Sequence, residues 1–515
     1  MANHAARPGY YQNPVIHADY SDPDIVRVGD DFYLVASSFN HFPALPVLHS
    51  KDLVNWSLIN HVFSTFNLPV YDSVQPGKGV WAPSIRYHDG KFWVFFSTPD
   101  EGIFMSCASD PRGSWSAPHC VKQAKGWIDP CPLWDDDGRA WLVHAFAHSR
   151  SGRKHQLQLL EMSPDGRSLL DEGLIIYDGT LDNPTLEGPK LYKKHGWYYI
   201  FAPAGGVETG WQTVLRARAL QGPWETRVVL QQGETRVNGP HQGGFVELAN
   251  AECWFMHFQD ADLYGRLVHL QPMSWQADGW PLIGEQRSPD EPGQPVSEHL
   301  MPSVAQQPQG FRQPQTSDDF ASGHPGKQWQ WQAQPQPNWL EPATNALRLS
   351  CQPVPEYNGE QALYLQPNLL LQKFPARKFS ATTCLQADFH HPGEMSGLII
   401  YGERYAALAL SQHEGQGKIE LIAAWMSDTG VLHQQQHDIA VWPLNCPLWL
   451  RVEVKAGGLC TFQYGENGCD WQPVTPCFAA GKGKWVGAKL GLFAAAGQPS
   501  KWAGAGVYTQ FTVES

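Results

Sequence analysis

Residues 22–38, DPDIVRVGDDFYLVASS, carry a pattern that recurs along the chain and decides its architecture. A carboxylate opens it, a short β-rich run follows, and a Gly-Asp-Asp turn leads into an aromatic strand. WAPSIRYHDGKFWVFFST (81–98), IDPCPLWDDDGRAWLVHAF (128–146), EGPKLYKKHGWYYIFAPA (187–204) and HQGGFVELANAECWFMHFQ (241–259) keep the same internal order. Several copies run on into a third strand and a tryptophan segment: KDLVNW (51–56), PRGSW (111–115) and LQGPW (220–224). Five copies at a spacing of roughly 50–60 residues predict a five-bladed β-propeller of four-stranded blades. Unrelated hairpins also produce turn–aromatic patterns, but five in one internal order favour the repeat.

Outward from the repeat, helical periodicity is nearly absent, and Gly, Pro, Asp and Asn separate short β-rich runs, so the chain reads as all-β. The repeat assigns residues 1–290 to the propeller, which is the expected catalytic domain. Residues 291–315 turn Pro-, Gln- and Ser-rich and read as a linker. Residues 316–515 form a second β-rich region. Its strands, such as SGLIIYG (396–402), YAALALS (405–411) and LWLRVEV (448–454), alternate with polar turns and lack the blade phrase. A β-sandwich is the predicted fold there.

Composition bounds the function. A chain of 515 residues exceeds one ordinary compact domain. Its 22 tryptophans suit large all-β cores and, equally, flat surfaces on which sugars stack. The net charge is −13 and no basic run is present, which argues against nucleic-acid and anionic-membrane partners. The N-terminus lacks a secretory pattern and no apolar run spans a bilayer, so a cytoplasmic location is expected; a secreted chain without its signal would read alike. The 10 cysteines are scattered without a CxxC pair, which favours free thiols over a metal cluster or disulfide framework.

In a propeller the innermost strands line a central channel, so equivalent blade openings converge at one mouth. Those openings carry Asp22 (with Asp24 close by), Trp81, Asp129, Glu187 and His241. A glycosidase needs a protonated carboxyl to serve the leaving oxygen and an ionised one to activate water or attack carbon. A third carboxylate nearby can raise the acid's pKa by repulsion. Taken singly, Asp22 before proline is an ordinary turn residue, whereas Glu187 beside Gly-Pro has no turn-forming role. The acidic run Asp135–Asp137 reads as an outer hairpin turn, not a metal site.

The stretches YSDPDIVRVGDDFYLVASSF, VWAPSIRYHDGKFWVFFS, IDPCPLWDDDGRAWLV and EGPKLYKKHGWYYIFAPAGG together resemble glycoside hydrolase family 43. Its β-xylosidases and α-L-arabinofuranosidases are built on a five-bladed propeller. The resemblance extends to the C-terminal region, which is similar to the concanavalin A-like jelly roll of many family xylosidases. It implies an inverting exo-hydrolase with Asp22 as general base, Asp129 as pKa modulator and Glu187 as general acid. It further implies an acid–base separation of roughly 6.5–9.5 Å. Arg266 in YGRLVHLQP resembles the arginine that holds sugar hydroxyls, the other reading being an ordinary strand-end arginine. Phe39 and Trp81 match subsite walls, or else pack the blades. His241 resembles an axial histidine near a bound Ca2+ or Na+ ion in the channel, or else is a buried, satisfied histidine. No cofactor is required by this scheme.

The implied substrates are xylo-oligosaccharides or arabinose-substituted oligosaccharides of plant hemicellulose; the sequence leaves the oligomeric state open, a homo-oligomer included. A non-catalytic carbohydrate-binding propeller and an arabinan-directed endo-hydrolase are the alternatives. The chain departs from the family pattern at the closing sandwich strand YTQFTVE (508–514), which lacks the Asp that calcium-binding relatives tend to carry, and at two points of the site. SDPD replaces the PDPS of many relatives at the base, and GGVETGWQT (205–213) replaces a GGT-type segment after the acid.

Overall fold

A computed structural model describes residues 7–304, 312–427 and 429–515 of the chain. Among these residues the N-terminal part forms five four-stranded antiparallel sheets, each built from consecutive strands. The innermost strands are Asp24–Val28, Trp81–His88, Trp127–Trp134, Lys190–Lys194 and His241–Glu247, one per repeat. The five-bladed propeller read from the repeat is therefore the observed fold.

The blades explain why the aromatic strands of the repeat are apolar without alternation. A middle strand is covered on both faces by neighbouring blades, so Ala140–Phe146 (AWLVHAF) is buried at every position. Between the first two blades Phe63 stacks on Phe96 at 5.4 Å, and Phe96 on Phe104 at 5.7 Å. The recurrent tryptophans fold back on their own turns: Trp56 donates to the Leu53 carbonyl at 2.8 Å and Trp115 to that of Pro111 at 3.3 Å. The Asp135–Asp137 run is the hairpin turn after the first strand of blade three. Asp135 there pairs with Lys193 and Tyr198 of blade four.

The ring is closed by a segment that the repeat does not show. Ile16 and Val268 form a backbone bridge, and the Asn13 side chain both accepts from and donates to the Leu270 backbone, at 2.8 and 2.7 Å. Tyr10–Gln12 pairs with Glu298–Leu300. Part of the stretch read as a linker is thus a strand. Residues 305–311 of that stretch lie outside the described residues, and beyond them Gln313 donates to the Val15 carbonyl at 2.8 Å.

The C-terminal region is a sandwich of two eight-stranded sheets. Here the sequence does alternate: in Leu448–Val454 (LWLRVEV) residues 448, 450, 452 and 454 are buried while those between are half-exposed. Propeller and sandwich share a core, because Val74, Tyr264 and Leu267 pack into the sandwich's apolar cluster. They also share backbone pairing, between Phe42 and Trp331. No helix among the described residues is long and apolar enough to cross a membrane. All ten cysteines are free.

Candidate active site

Each innermost strand is entered through one residue in the left-handed region: Asp22 (φ +55°), Ala82 (+36°), Asp129 (+57°), Gly188 (+57°) and Gln242 (+41°). Four of the five are non-glycine residues, a conformation that costs about 1–3 kcal/mol each and persists only where surrounding structure enforces it. Proline follows in four blades (Pro23, Pro83, Pro130, Pro189) and Gly243 in the fifth. In blades two, three and five the strand pairing shifts register across this residue, which turns the flanking side chains into the funnel.

The common frame corrects one reading of the repeat. Asp22, Trp81, Asp129, Glu187 and His241 are not one equivalent set. Asp22 and Asp129 occupy the left-handed position itself, whereas Trp81, Glu187 and His241 stand one residue earlier. Aligning the repeats on the proline instead of on the carboxylate reveals this offset.

All three carboxylates nevertheless face one cavity of about 190 Å³, together with Phe39, Trp81 and Arg266. Asp22 is held by convergent donors. Ser37 and Ser21 hydroxyls donate to its Oδ2 at 2.6 and 2.9 Å, and the Arg266 guanidinium lies 3.4 Å from Oδ1. Ser37 is itself fixed by the Ala82 N–H at 2.7 Å, which ties blade one to blade two. Arg266 also donates to Ser21 Oγ at 2.6 Å and stacks over Phe258 at 4.9 Å.

Asp129 accepts a single backbone bond, from Gly188 N–H at 2.8 Å. Burial, with the Glu187 and Asp22 carboxylates beside it, pushes Asp129 up to about 8. Asp129 therefore holds a proton at neutral pH, between the other two carboxyls of the cavity. Glu187 is the most accessible: its side chain is 28% exposed against 9% for Asp22. His241 Nε2 lies 2.9 Å from Glu187 Oε1.

His241 Nδ1 is buried without a protein partner. Among the described residues no three His, Cys, Asp or Glu side chains converge to hold a metal ion.

Phe39 and Trp81 pack edge to face at 6.3 Å and wall one side of the cavity. Residues that sequence reasoning missed complete it. Ser37 anchors Asp22; His148, Arg150 and Lys154 border the mouth from the loop after Ala140–Phe146; and Trp485 reaches in from the sandwich. Trp485 lies in GKGKWVG (481–487), and an aromatic inside a Gly/Lys turn was the available signal. Its loop is pinned where the Gly487 N–H donates to Asp19 Oδ2 at 2.9 Å. Asp24, the extra acid of SDPD, does not enter the cavity. It is fully buried one layer deeper and pairs with Arg86 at 2.7 Å.

A sugar-sized pocket with three carboxylates on its floor and aromatic walls is the equipment of a glycoside hydrolase. The sequence profile of glycosyl hydrolases family 43 matches residues 11–281, and that of the beta xylosidase C-terminal concanavalin A-like domain matches residues 317–510. The chain belongs to glycoside hydrolase family 43 and is of its β-xylosidase/arabinosidase type. A Xylanibacter ruminicola relative with a provisional β-xylosidase name is 38% identical over 498 residues, covering 94% of this chain and 86% of the relative. A non-reducing end α-L-arabinofuranosidase of Bacteroides ovatus is 32% identical over 305 residues, 55% of each chain. The crystal structure of a xylan β-1,4-xylosidase from Bacillus halodurans superposes with a TM-score of 0.84 at 26% identity, covering 98% of this chain and 100% of that one.

Proposed function

We propose that the protein is an inverting exo-hydrolase that removes terminal β-D-xylosyl and/or α-L-arabinofuranosyl units from hemicellulose oligosaccharides. The observation that carries this reading is the blind, three-carboxylate cavity. At about 190 Å³ it is smaller than the roughly 300–1,000 Å³ of sites for drug-sized ligands, and it suits one pentose ring at a chain end. An endo-acting enzyme needs an open cleft instead.

In this reading Asp22 is the general base. The donors from Ser21, Ser37 and Arg266 aim its carboxylate at a water on the far side of the anomeric carbon. That water loses a proton to Asp22 as its oxygen bonds to carbon. The glycosidic C–O bond breaks on the opposite face, and Glu187, the accessible carboxyl, hands its proton to the departing oxygen. Asp129 keeps a proton available in the carboxyl group cluster, and His241 positions Glu187. Arg266 holds sugar hydroxyls, and Trp81, Phe39 and Trp485 supply apolar faces for the ring and its aglycone. The base and acid roles rest on the residue-by-residue match to the family motifs.

Glu187→Gln tests the assignment. Turnover of xylobiose, whose leaving group needs a proton, should fall about 10²–10⁴-fold. Turnover of a dinitrophenyl pentoside, whose leaving group does not, should fall far less. Equal loss on both substrates, or none on either, removes Glu187 as the acid. A panel of nitrophenyl xyloside and arabinofuranoside decides between the two sugars, and no turnover of either overturns the proposed activity.

A further inference from the structure

Away from the funnel, a second cavity of about 110 Å³ lies in the seam between propeller and sandwich. The propeller contributes His17 from the closing segment, Tyr20, and His61 from the last strand of blade one. The sandwich contributes Lys327 and Lys373. In a chain with net charge −13, this lining holds, among the described residues, four basic side chains and no aspartate or glutamate side chain; the carboxylate at Ser515 also borders it. The basic groups are also short of partners. Among the described residues both ring nitrogens of His17 are buried without a hydrogen-bond partner, and the Lys373 ammonium donates to the Gln330 side-chain oxygen at 2.9 Å and lies over the face of Tyr20 at 5.1 Å. The seam's buried carboxylate, Asp19, is committed elsewhere, accepting from the Arg266 and Gly487 N–H groups at 2.9 Å each.

We infer that this seam cavity is a binding site for a small oxyanion, of the phosphate, sulfate or short carboxylate class, held by Lys373 and the two histidines with Lys327 at its mouth. Burial lowers both histidines, His61 to about 3, so at neutral pH they meet the cavity as neutral rings with an N–H to donate; an oxyanion supplies acceptor oxygens to them and a counter-charge to the lysines. Burial and the neighbouring Lys489 pull Lys373 down to about 7, so an arriving anion recruits a proton to it. Because the cavity walls come from both domains, the ligand would act as a clasp on the seam.

The test is calorimetric titration of the full chain with inorganic phosphate and with sulfate near neutral pH, chloride at equal ionic strength serving as the reference. The same titrations are run on a chain extended by Gly-Ser after Ser515, which moves a carboxylate away from the cavity; binding should persist or tighten there, and its loss overturns the site. Saturable binding of phosphate or sulfate, absent with chloride and about tenfold weaker in Lys373→Gln and Lys327→Gln, is the expected result. Proton uptake, read as a dependence of the heat on buffer ionisation enthalpy, should accompany it and disappear in Lys373→Gln. Should Lys373→Gln fail to fold, Lys327→Gln at the exposed mouth decides alone. Acetate and malonate separate carboxylate from inorganic oxyanion preference. A sulfate effect that is merely linear in concentration is preferential exclusion. That result overturns the site, as does binding equal to that of chloride or undiminished in the variants.

Discussion

Blades one and three open on the same dipeptide, Asp-Pro, with the aspartate in the same left-handed conformation: φ is +55° at Asp22 and +57° at Asp129. Their surroundings differ. Asp22 accepts from two hydroxyls and stands beside a guanidinium, whereas Asp129 has one backbone donor and two carboxylates for neighbours. The blade entrance thus aims a side chain at the funnel, and the groups packed around it determine what that side chain does. Identical local sequence yields different chemistry because the deciding donors, Ser37 and Arg266, arrive from elsewhere in the fold.

Three substitutions probe this contrast. Asp22→Ala should be the most damaging, lowering kcat by about 10²–10⁴-fold on both good and poor leaving groups, since water activation serves every substrate. A loss confined to poor leaving groups would mean that the two aspartates have been assigned the wrong way round. Asp129→Asn should lower kcat about 10–100-fold and move the basic limb of the pH–rate profile, because a carboxyl that titrates near 8 is replaced by a group that does not titrate.

The same variant should have an opposite effect on stability. Asp129 is raised above the usual carboxylate value, so the folded chain binds a proton there that the unfolded chain has released. Stability from this group is full below about 4 and is lost as pH rises through about 8. Removing the charge should therefore raise Tm by a few degrees near pH 9 and much less near pH 5, as followed by thermal unfolding. A gain independent of pH would show that Asp129 is not the strained group. Ser37→Ala should be mildest in catalysis, with kcat down about tenfold, since Arg266 and Ser21 still face Asp22; Tm should fall by a few degrees, because the buried Ala82 N–H loses its acceptor. An unaltered kcat would mean that these donors do not tune Asp22.

The five blades were legible because the repeat writes one supersecondary unit five times, and the sandwich because LWLRVEV alternates with period two. The convergence of Asp22, Asp129 and Glu187 was legible for the same reason. The offset of Glu187 from the two aspartates was not, since it depends on which residue takes the left-handed turn, and a carboxylate draws the eye before the proline does. Ser37 and Trp485 stayed hidden for a different reason. Each reaches the pocket through tertiary placement, one from a neighbouring strand and the other from a separate domain nearly 300 residues beyond the acid. The closing segment at Tyr10–Ile16 repeats nothing, so periodicity had no purchase on it.

Beneath the carboxylate floor, the next residues inward, Asp24, Ser84, Cys131 and Lys190, are all completely buried, and the Lys190 ammonium is bonded across the axis to Ser84 and the Pro83 carbonyl at 2.8 and 2.9 Å. This layer makes the funnel a cul-de-sac. A released pentose has no rear exit and must retreat past Trp485 before another chain end can enter. Under the proposed function, traffic through one doorway would make the free sugar a competitor of its own precursor and would leave no path for threading along a polymer from one linkage to the next.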